Sequence, residues 1–278
     1  MLRVQMLGKA LLVALLAFGS SDAIAQEEDF NTSVMRATIK LQHERSTATG
    51  FLLTRPSPAD ANQTQFVLVT ANHVLENTPG DETTLIYRTK ESEGTFKKIP
   101  TKLAIRKEGK PLWVKHPTDD VAALIVTPPE NVDVPKVSSE LLATDEMLTA
   151  AHIHPGDTLA YVGYPHRVES NDAGFALLRM GAIASYPLLP TAKHHVFLLS
   201  ANTFEGDSGS PVFLSHDSRV VPGKGPEPVR MIMGLVSAQQ FIDEEVKTLY
   251  GSSKMRHRLG LALIVQASML RETVKLVP

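Results

Sequence analysis

Short runs of apolar and β-branched residues, each ended by turn residues, recur along most of this chain and constrain its fold. Helical periodicity is confined to residues 138–151, where Ser139 is a candidate cap, and to residues 266–276. Many short strands with few helices predict an all-β sandwich or barrel. We expect strands at residues 33–41, 49–54, 66–70, 84–88, 102–105, 121–126, 158–164, 176–186, 195–200, 211–214, 231–238 and 259–265.

Overall composition excludes some classes of partner. The chain has 278 residues, of which 43% are hydrophobic and 21% charged, as in an ordinary globular protein with a sizeable core. Its net charge of -2 argues against nucleic acid or an anionic membrane surface as a partner.

The first 25 residues have the pattern of a secretory signal peptide. Arg3 and Lys9 precede or flank a short apolar stretch at residues 10–18, and Ala23-Ile24-Ala25 is typical of a cleavage site. The apolar stretch is about half of the roughly 20 residues that a spanning helix needs. We therefore expect export to the periplasm or the medium and no membrane contact after removal of residues 1–25. The chain contains no cysteine, so its stability cannot depend on disulfides, which favours a bacterial exported protein.

One glycine-rich stretch, Gly206-Asp207-Ser208-Gly209-Ser210-Pro211, places a serine between two glycines. Glycines permit a tight turn and leave the hydroxyl accessible, and the apolar run that follows predicts a rigid strand. A glycine-serine turn is also common between ordinary strands. The stretch therefore predicts a nucleophile only if the chain also supplies a base and a carboxylate.

Both partners are present upstream. His73 follows a predicted buried strand, and Asp120 directly precedes another, with Asp119 as the second choice for the acid. A lone histidine or aspartate at a strand end usually has a structural role. Three such local contexts in the order His, Asp, Ser favour a catalytic set.

The segments Thr70-Ala71-Asn72-His73, Asp120-Val121-Ala122 and the serine stretch resemble the three signatures of trypsin-like, chymotrypsin-fold serine peptidases. The resemblance covers essentially all of the chain after residue 25 and is greatest to cysteine-poor bacterial members, including the glutamyl-endopeptidase-like group. It implies two six-stranded antiparallel Greek-key barrels, at about residues 31–135 and 152–265, with a closing helix at 266–276. It also implies a protein or peptide substrate and no cofactor.

By this resemblance, Ser208 attacks the peptide carbonyl, His73 moves the proton, and Asp120 orients the imidazole. The backbone N–H groups of Gly206 and Ser208 form the oxyanion hole. Trypsin-like zymogens pair a newly freed amino terminus with the acid before the serine. No Ile/Val-Val/Ile-Gly-Gly sequence follows Ala25, so we expect Asp207 to have another partner.

The family places the base of the S1 pocket, which binds the P1 side chain, at the position of Asn202. Its wall corresponds to Ser237-Ala238-Gln239, where Gln239 replaces a common glycine. Asn202 is neutral, and Val236 replaces the histidine of glutamate-specific members. We therefore expect small or medium uncharged P1 residues.

Two alternatives keep part of this interpretation. An α/β-hydrolase esterase would use Ser208 with Asp243 and His257, but it requires G-x-S-x-G and alternating strands and helices. A catalytically silent chymotrypsin-fold protein would bind or sense, although such proteins commonly lack one member of the triad. A metal site is not predicted, because His152, His154, His194 and His195 occur without H-E-x-x-H or cysteine and fit loops and turns.

Overall fold

The computed structural model describes residues 29–44, 46–60, 62–92, 94–248 and 251–278. The signal peptide predicted at residues 1–25 lies outside these described residues. Two antiparallel sheets dominate the described part, so the expectation of an all-β fold is confirmed.

Nine strands of the described chain precede residue 127, and seven of them build the first sheet. They are β1 (Thr38–His43), β2 (Ser46–Pro56), β3 (Thr64–Thr70), β4 (Glu82–Ser92), β5 (Thr95–Ala104), β6 (Arg106–Lys107), β7 (Lys110–Pro111), β8 (Val114–Lys115) and β9 (Ala122–Val126). Hydrogen bonding gives the order β5-β4-β1-β2-β3-β9-β8, while β6 and β7 pair only with each other.

The second sheet closes on itself. Its strands are β10 (Thr158–Gly163), β11 (Leu177–Ile183), β12 (Val196–Ser200), β13 (Pro211–Arg219), β14 (Glu227–Thr248) and β15 (Gly251–Gln266). They form a closed six-stranded barrel in the order β10-β11-β12-β15-β14-β13. In both sheets the fourth long strand lies beside the first, which is the predicted Greek-key order.

The first sheet differs from a closed six-stranded barrel in strand number and closure. It has seven strands, because β8 pairs with the free edge of β9 through Val114 with Ala123 and Lys115 with Ala122. That pairing leaves β5 at the opposite edge of the sheet. None of the side chains of β5 is fully buried, as expected for an edge strand.

The strand predicted at residues 33–41 is wrong in its first half. Residues Phe30–Ala37 form helix α1, and β1 begins at Thr38. Asp29 caps the helix by accepting a hydrogen bond from Thr32 N–H at 3.0 Å. Phe30, Val34 and Ala37 are all buried at helical spacing, so packing of this face decided against the alternating pattern.

The single helix predicted at residues 138–151 is also wrong. A 3₁₀ turn occupies Ser139–Leu141, and a separate helix, α3, spans Asp145–Ala150, after the five-residue helix α2 (Asn72–Glu76) in chain order. Ser138, rather than Ser139, caps the first of these segments, and Thr144 caps the second. Between them the chain is held extended, because Ala143 N–H donates to Ile232 of β14 at 2.9 Å.

The predicted closing helix is confirmed as α4 (Ala267–Leu276). Met269, Leu270, Val274 and the following Val277 are buried, as their spacing predicted. Arg55 of the first sheet donates to the Val274 carbonyl at 2.8 Å, so α4 is attached to both halves of the fold. No described helix is long and apolar enough to cross a membrane.

A charged cluster also joins the two halves. Glu169, from the segment between β10 and β11, binds Lys40 of β1 at 2.8 Å and Lys98 of β5. Burial raises the pKa of Glu169, but the hydrogen bonds from the two lysines outweigh it and lower that pKa below its ordinary value. The cluster therefore stabilises the junction as long as Glu169 is ionised.

Candidate active site

Strand pairing brings His73 and Asp120 together. β3 and β9 are neighbours, with Thr70 opposite Ala122 at the end where β3 runs into α2. His73 lies in the first turn of α2, and Asp120 lies just before β9. The two residues are 47 positions apart in sequence, yet they are in contact across one edge of the sheet.

Asp120 holds His73 at two points, one on the ring and one on the backbone. Its Oδ2 lies 2.7 Å from His73 Nδ1, and its Oδ1 accepts from the His73 backbone N–H at 2.9 Å. Because an ionised carboxylate only accepts, the ring carries its proton on Nδ1, and the neutral ring has Nε2 free as an acceptor. This is the tautomer that a general base requires.

The Asp120 carboxylate is kept ionised. Burial raises the pKa of Asp120, but hydrogen bonds from the His73 ring and the Ser237 hydroxyl outweigh burial, so this pKa lies below its ordinary value. Ser237 of β14 donates to Asp120 Oδ2 at 2.5 Å. The sequence predicts that Ser237 binds substrate. In the structure its hydroxyl is instead hydrogen-bonded to Asp120.

Ser208 lies in the turn between β12 and β13, and two glycines shape that turn. Gly206 has φ +101° and Gly209 has φ +86°, which are left-handed conformations that favour glycine. A Cβ on Gly206 would lie 2.2 Å from the Tyr164 carbonyl oxygen, and one on Gly209 would lie 2.0 Å from the Thr49 carbonyl oxygen. The turn therefore requires glycine at both positions.

Thr49 of β2 attaches this turn to the first sheet, a role that no sequence motif indicated. Its backbone N–H donates to Ser208 O at 3.0 Å, and its hydroxyl donates to Gly206 O at 2.7 Å. The same hydroxyl accepts from Tyr164 N–H at 3.2 Å, and the Thr49 carbonyl accepts from the Thr70 hydroxyl at 2.7 Å. Both halves of the fold thus position the serine through one buried threonine.

His73, Gly206 and Ser208 line one cavity of about 270 Å³. Within the described residues, the Ser208 hydroxyl makes no hydrogen bond to the His73 ring. Catalytic hydrogen bonds are often long without substrate. In the same part of the structure, the N–H groups of Gly206 and Ser208 donate to no protein acceptor, whereas those of Asp207, Gly209 and Ser210 do. Two N–H groups are therefore available to an anionic oxygen beside the serine.

Asp207 has the alternative partner that its sequence context required. Its side chain is fully buried and forms an ion pair with Arg179 of β11, and its Oδ2 accepts from Phe204 N–H at 2.8 Å. The guanidinium of Arg179 also lies over the Tyr161 ring at 4.6 Å. In the sequence, the one indication of this partner is the charge of Arg179 within the largely apolar strand predicted at residues 176–186.

The remaining predicted substrate-binding residues do not all line the same cavity. Ala238 and Gln239 line a second cavity of about 380 Å³, which also reaches Ser208. Asn202 does not line it. Its side chain is exposed, and its carbonyl accepts from the Tyr161 hydroxyl at 3.1 Å. The structure thus places Ala238 and Gln239, but neither Asn202 nor Ser237, against this cavity.

The other candidate residues have partners away from the serine. Asp119, the second choice for the acid, accepts from His195 Nδ1 at 2.9 Å. Asp243 pairs with Arg256 on the β14–β15 hairpin, and His257 pairs with Glu244 there, which removes the hydrolase alternative together with its fold. Across the described chain, no three His, Cys, Asp or Glu side chains are grouped to hold a metal ion.

Comparison with known proteins identifies a family and finds similar solved structures. The family model of the trypsin-like peptidase domain matches residues 48–221. No curated protein matches the chain. The crystal structure of Rv3671c from M. tuberculosis H37Rv, a serine-to-alanine mutant in an inactive form, is similar at 14% identity and a TM-score of 0.45, covering 88% of this chain and 87% of that one.

Proposed function

We propose that this chain, which belongs to the trypsin-like peptidase family, is a serine endopeptidase with His73, Asp120 and Ser208 as its catalytic triad. The main support for this proposal is the pair of hydrogen bonds between Asp120 and His73, beside a cavity that Ser208 also lines. That arrangement supplies an oriented base, a fixed tautomer and an accessible hydroxyl.

The chemistry follows from these positions. His73 Nε2 takes the Ser208 hydroxyl proton as Oγ bonds to the substrate carbonyl carbon, and the carbonyl oxygen becomes an anion. The free N–H groups of Gly206 and Ser208 support an oxyanion hole at this point. The imidazolium, stabilised by Asp120, then protonates the leaving amine as the C–N bond breaks. Water deprotonated by His73 hydrolyses the acyl-enzyme ester and restores the serine.

We also propose that the Arg179–Asp207 ion pair replaces the freed amino terminus of zymogen-derived peptidases. Asp207 lies between the two N–H groups of the oxyanion hole, and its buried carboxylate already has a cationic partner from within the fold. Ordering of this turn then needs no cleavage elsewhere in the chain.

A fluorophosphonate probe tests the nucleophile. Wild-type protein should be labelled, and Ser208→Ala should not be, with peptide hydrolysis lowered by about 10⁴-fold or more. Ser210→Ala is the matched control, because the Ser210 hydroxyl is buried two residues away and has no hydrogen-bond partner in the described structure. Labelling of Ser208→Ala, or full peptide hydrolysis by His73→Ala or Asp120→Ala, would contradict the triad.

The catalytically silent alternative has its own outcome in the same experiment. Unlabelled wild-type protein that is folded by circular dichroism would favour a silent binding protein. Hydrolysis of p-nitrophenyl esters but of no member of a peptide library would contradict the endopeptidase proposal.

Export remains a proposal that rests on residues 1–25. Expression of the full chain in a bacterium should give a periplasmic or secreted product whose intact mass corresponds to a start at Gln26. A product that keeps residues 1–25 in the cytoplasm would contradict this.

A further inference from the structure

The cavity of about 380 Å³ beside Ser208 has an unequal distribution of charge. Val236, Ala238 and Gln239 of β14 form an uncharged wall, since they contribute apolar or amide groups. The segment before the serine, which includes Phe204, also lines the cavity. His166 and Arg258 complete the lining and supply basic groups that the sequence motifs did not indicate.

One aromatic ring is in contact with both basic side chains. The Arg258 guanidinium carbon lies 4.8 Å from the centre of the Phe204 ring, within the range of a cation–π interaction. The His166 ring centre lies 5.2 Å from the same ring. Phe204 precedes Ser208 by only four positions. Its contacts with Arg258 and His166 therefore place both basic side chains beside the segment that carries the serine.

Arg258 differs from its neighbours on β15 in lacking an acidic partner. Arg256 pairs with Asp243 at 2.7 Å, and His257 pairs with Glu244 at 2.9 Å. Among the described residues, no carboxylate lies within ion-pair distance of Arg258. Glu205 lines the same cavity, but it is exposed and forms no ion pair with Arg258.

We propose that this cavity receives the P1 side chain and that Arg258 selects an acidic one, glutamate or aspartate. The inference rests on the proposed peptidase function. A guanidinium is always charged at working pH and binds a carboxylate with two parallel hydrogen bonds, which a neutral amide cannot match. The uncharged P1 residue expected from Asn202 and Val236 therefore gives way to an acidic one, because the charge comes from β15 rather than from those positions.

Glu205 allows a second test, because its negative charge should affect the P1 preference in the direction opposite to that of Arg258. Its carboxylate lines the same cavity and repels an acidic P1 side chain. Glu205 and Arg258 are both exposed, so solvent screens the repulsion and the attraction alike. Removing the charge of Glu205 should strengthen the preference that removing the charge of Arg258 weakens.

The experiment compares kcat/KM for two peptides that differ only in P1 glutamate or P1 glutamine. We expect the wild-type protein to favour glutamate by up to about tenfold, because Arg258 is exposed, and Arg258→Gln to lose most of that preference. Glu205→Gln should raise the ratio, and Arg258→Glu should favour P1 lysine over glutamate. Arg256→Gln, on the same strand with its charge already paired, is the control and should keep the wild-type ratio.

The failures are distinguishable by fluorophosphonate labelling. A labelled wild-type protein that cleaves the two peptides equally, or Arg256→Gln that lowers the ratio as much as Arg258→Gln, overturns this inference alone. A wild-type protein that is neither labelled nor active on any peptide overturns the proposed function and this inference with it.

Discussion

Replacing Arg179 with methionine tests whether a buried ion pair orders the turn that carries Ser208. The Asp207 side chain has no exposed surface, and the Arg179 side chain is 22% exposed. Methionine keeps an unbranched side chain but removes the charge, the hydrogen bonds to Asp207 and the Asn202 carbonyl, and the cation–π contact with the Tyr161 ring. The variant leaves the buried Asp207 carboxyl group without its cationic partner, and among the described residues only Phe204 N–H still donates to it.

The structure sets the size of the effect. Removal of one partner of a buried ion pair costs about 3–5 kcal/mol. The lower end applies here, because partial exposure at Arg179 gives water a route to Asp207 and because the Phe204 N–H still donates. We expect the free energy of unfolding to fall by about 3 kcal/mol. If all of that loss falls on the ordered turn, fluorophosphonate labelling slows by up to about a hundredfold.

Urea unfolding and the second-order rate of labelling measure the two effects. Arg230→Met is the matched control, because Arg230 lies in the same barrel and pairs with Asp217 at 3.5 Å, with 44% and 89% of the two side chains exposed. An exposed pair of this kind contributes less than about 1 kcal/mol, so the control should unfold and react almost as the wild type does.

Wild-type stability and labelling in Arg179→Met would refute the argument. Adding Asp207→Asn to Arg179→Met should recover part of the stability, because a neutral amide costs less to bury than an unpaired carboxylate. If the double variant is no more stable than Arg179→Met, Arg179 acts through packing on Tyr161 instead.

Further predictions concern the acid, the turn and the junction between the sheets. Ser237→Ala removes the 2.5 Å hydrogen bond to Asp120 and should lower kcat/KM by about tenfold, without changing labelling stoichiometry. Gly206→Ala places a Cβ 2.2 Å from a carbonyl oxygen and should abolish labelling, whereas Gly223→Ala, also at positive φ but with nothing within 4 Å, should lose only about 1 kcal/mol of stability. Glu169→Gln should lower the free energy of unfolding by about 1–3 kcal/mol at pH 7. Because the folded-state pKa of Glu169 is lowered, its contribution is complete above the unfolded value of about 4.3 and disappears as pH falls through the folded value. The difference in the free energy of unfolding between Glu169→Gln and the wild type, measured in urea, should therefore shrink as the pH is lowered from 7 towards 3.

Local sequence predicted the strands correctly where a run of side chains is buried and fits only one type of secondary structure. The runs at residues 66–70 and 121–126 became β3 and β9, because they are buried and bounded by turn residues or helix starts. The predictions failed where two patterns fitted. Residues 33–37 alternate, but they also place Val34 and Ala37 on one helical face, and contact with the rest of the core decided the outcome.

By itself the sequence determined an all-β chain with a glycine-bound serine and the order His73, Asp120, Ser208, because these features depend on residue types within a few positions. Only the tertiary structure decided what surrounds them. Ser237 reaches Asp120 across 117 positions, and Thr49 reaches Gly206 across 157. Arg258 lines the cavity because β14 and β15 pair in a long hairpin, and residue composition did not predict the length or the register of that hairpin. Such contacts depend on sheet closure and strand register, which are set by the packing of the whole chain rather than by any one segment.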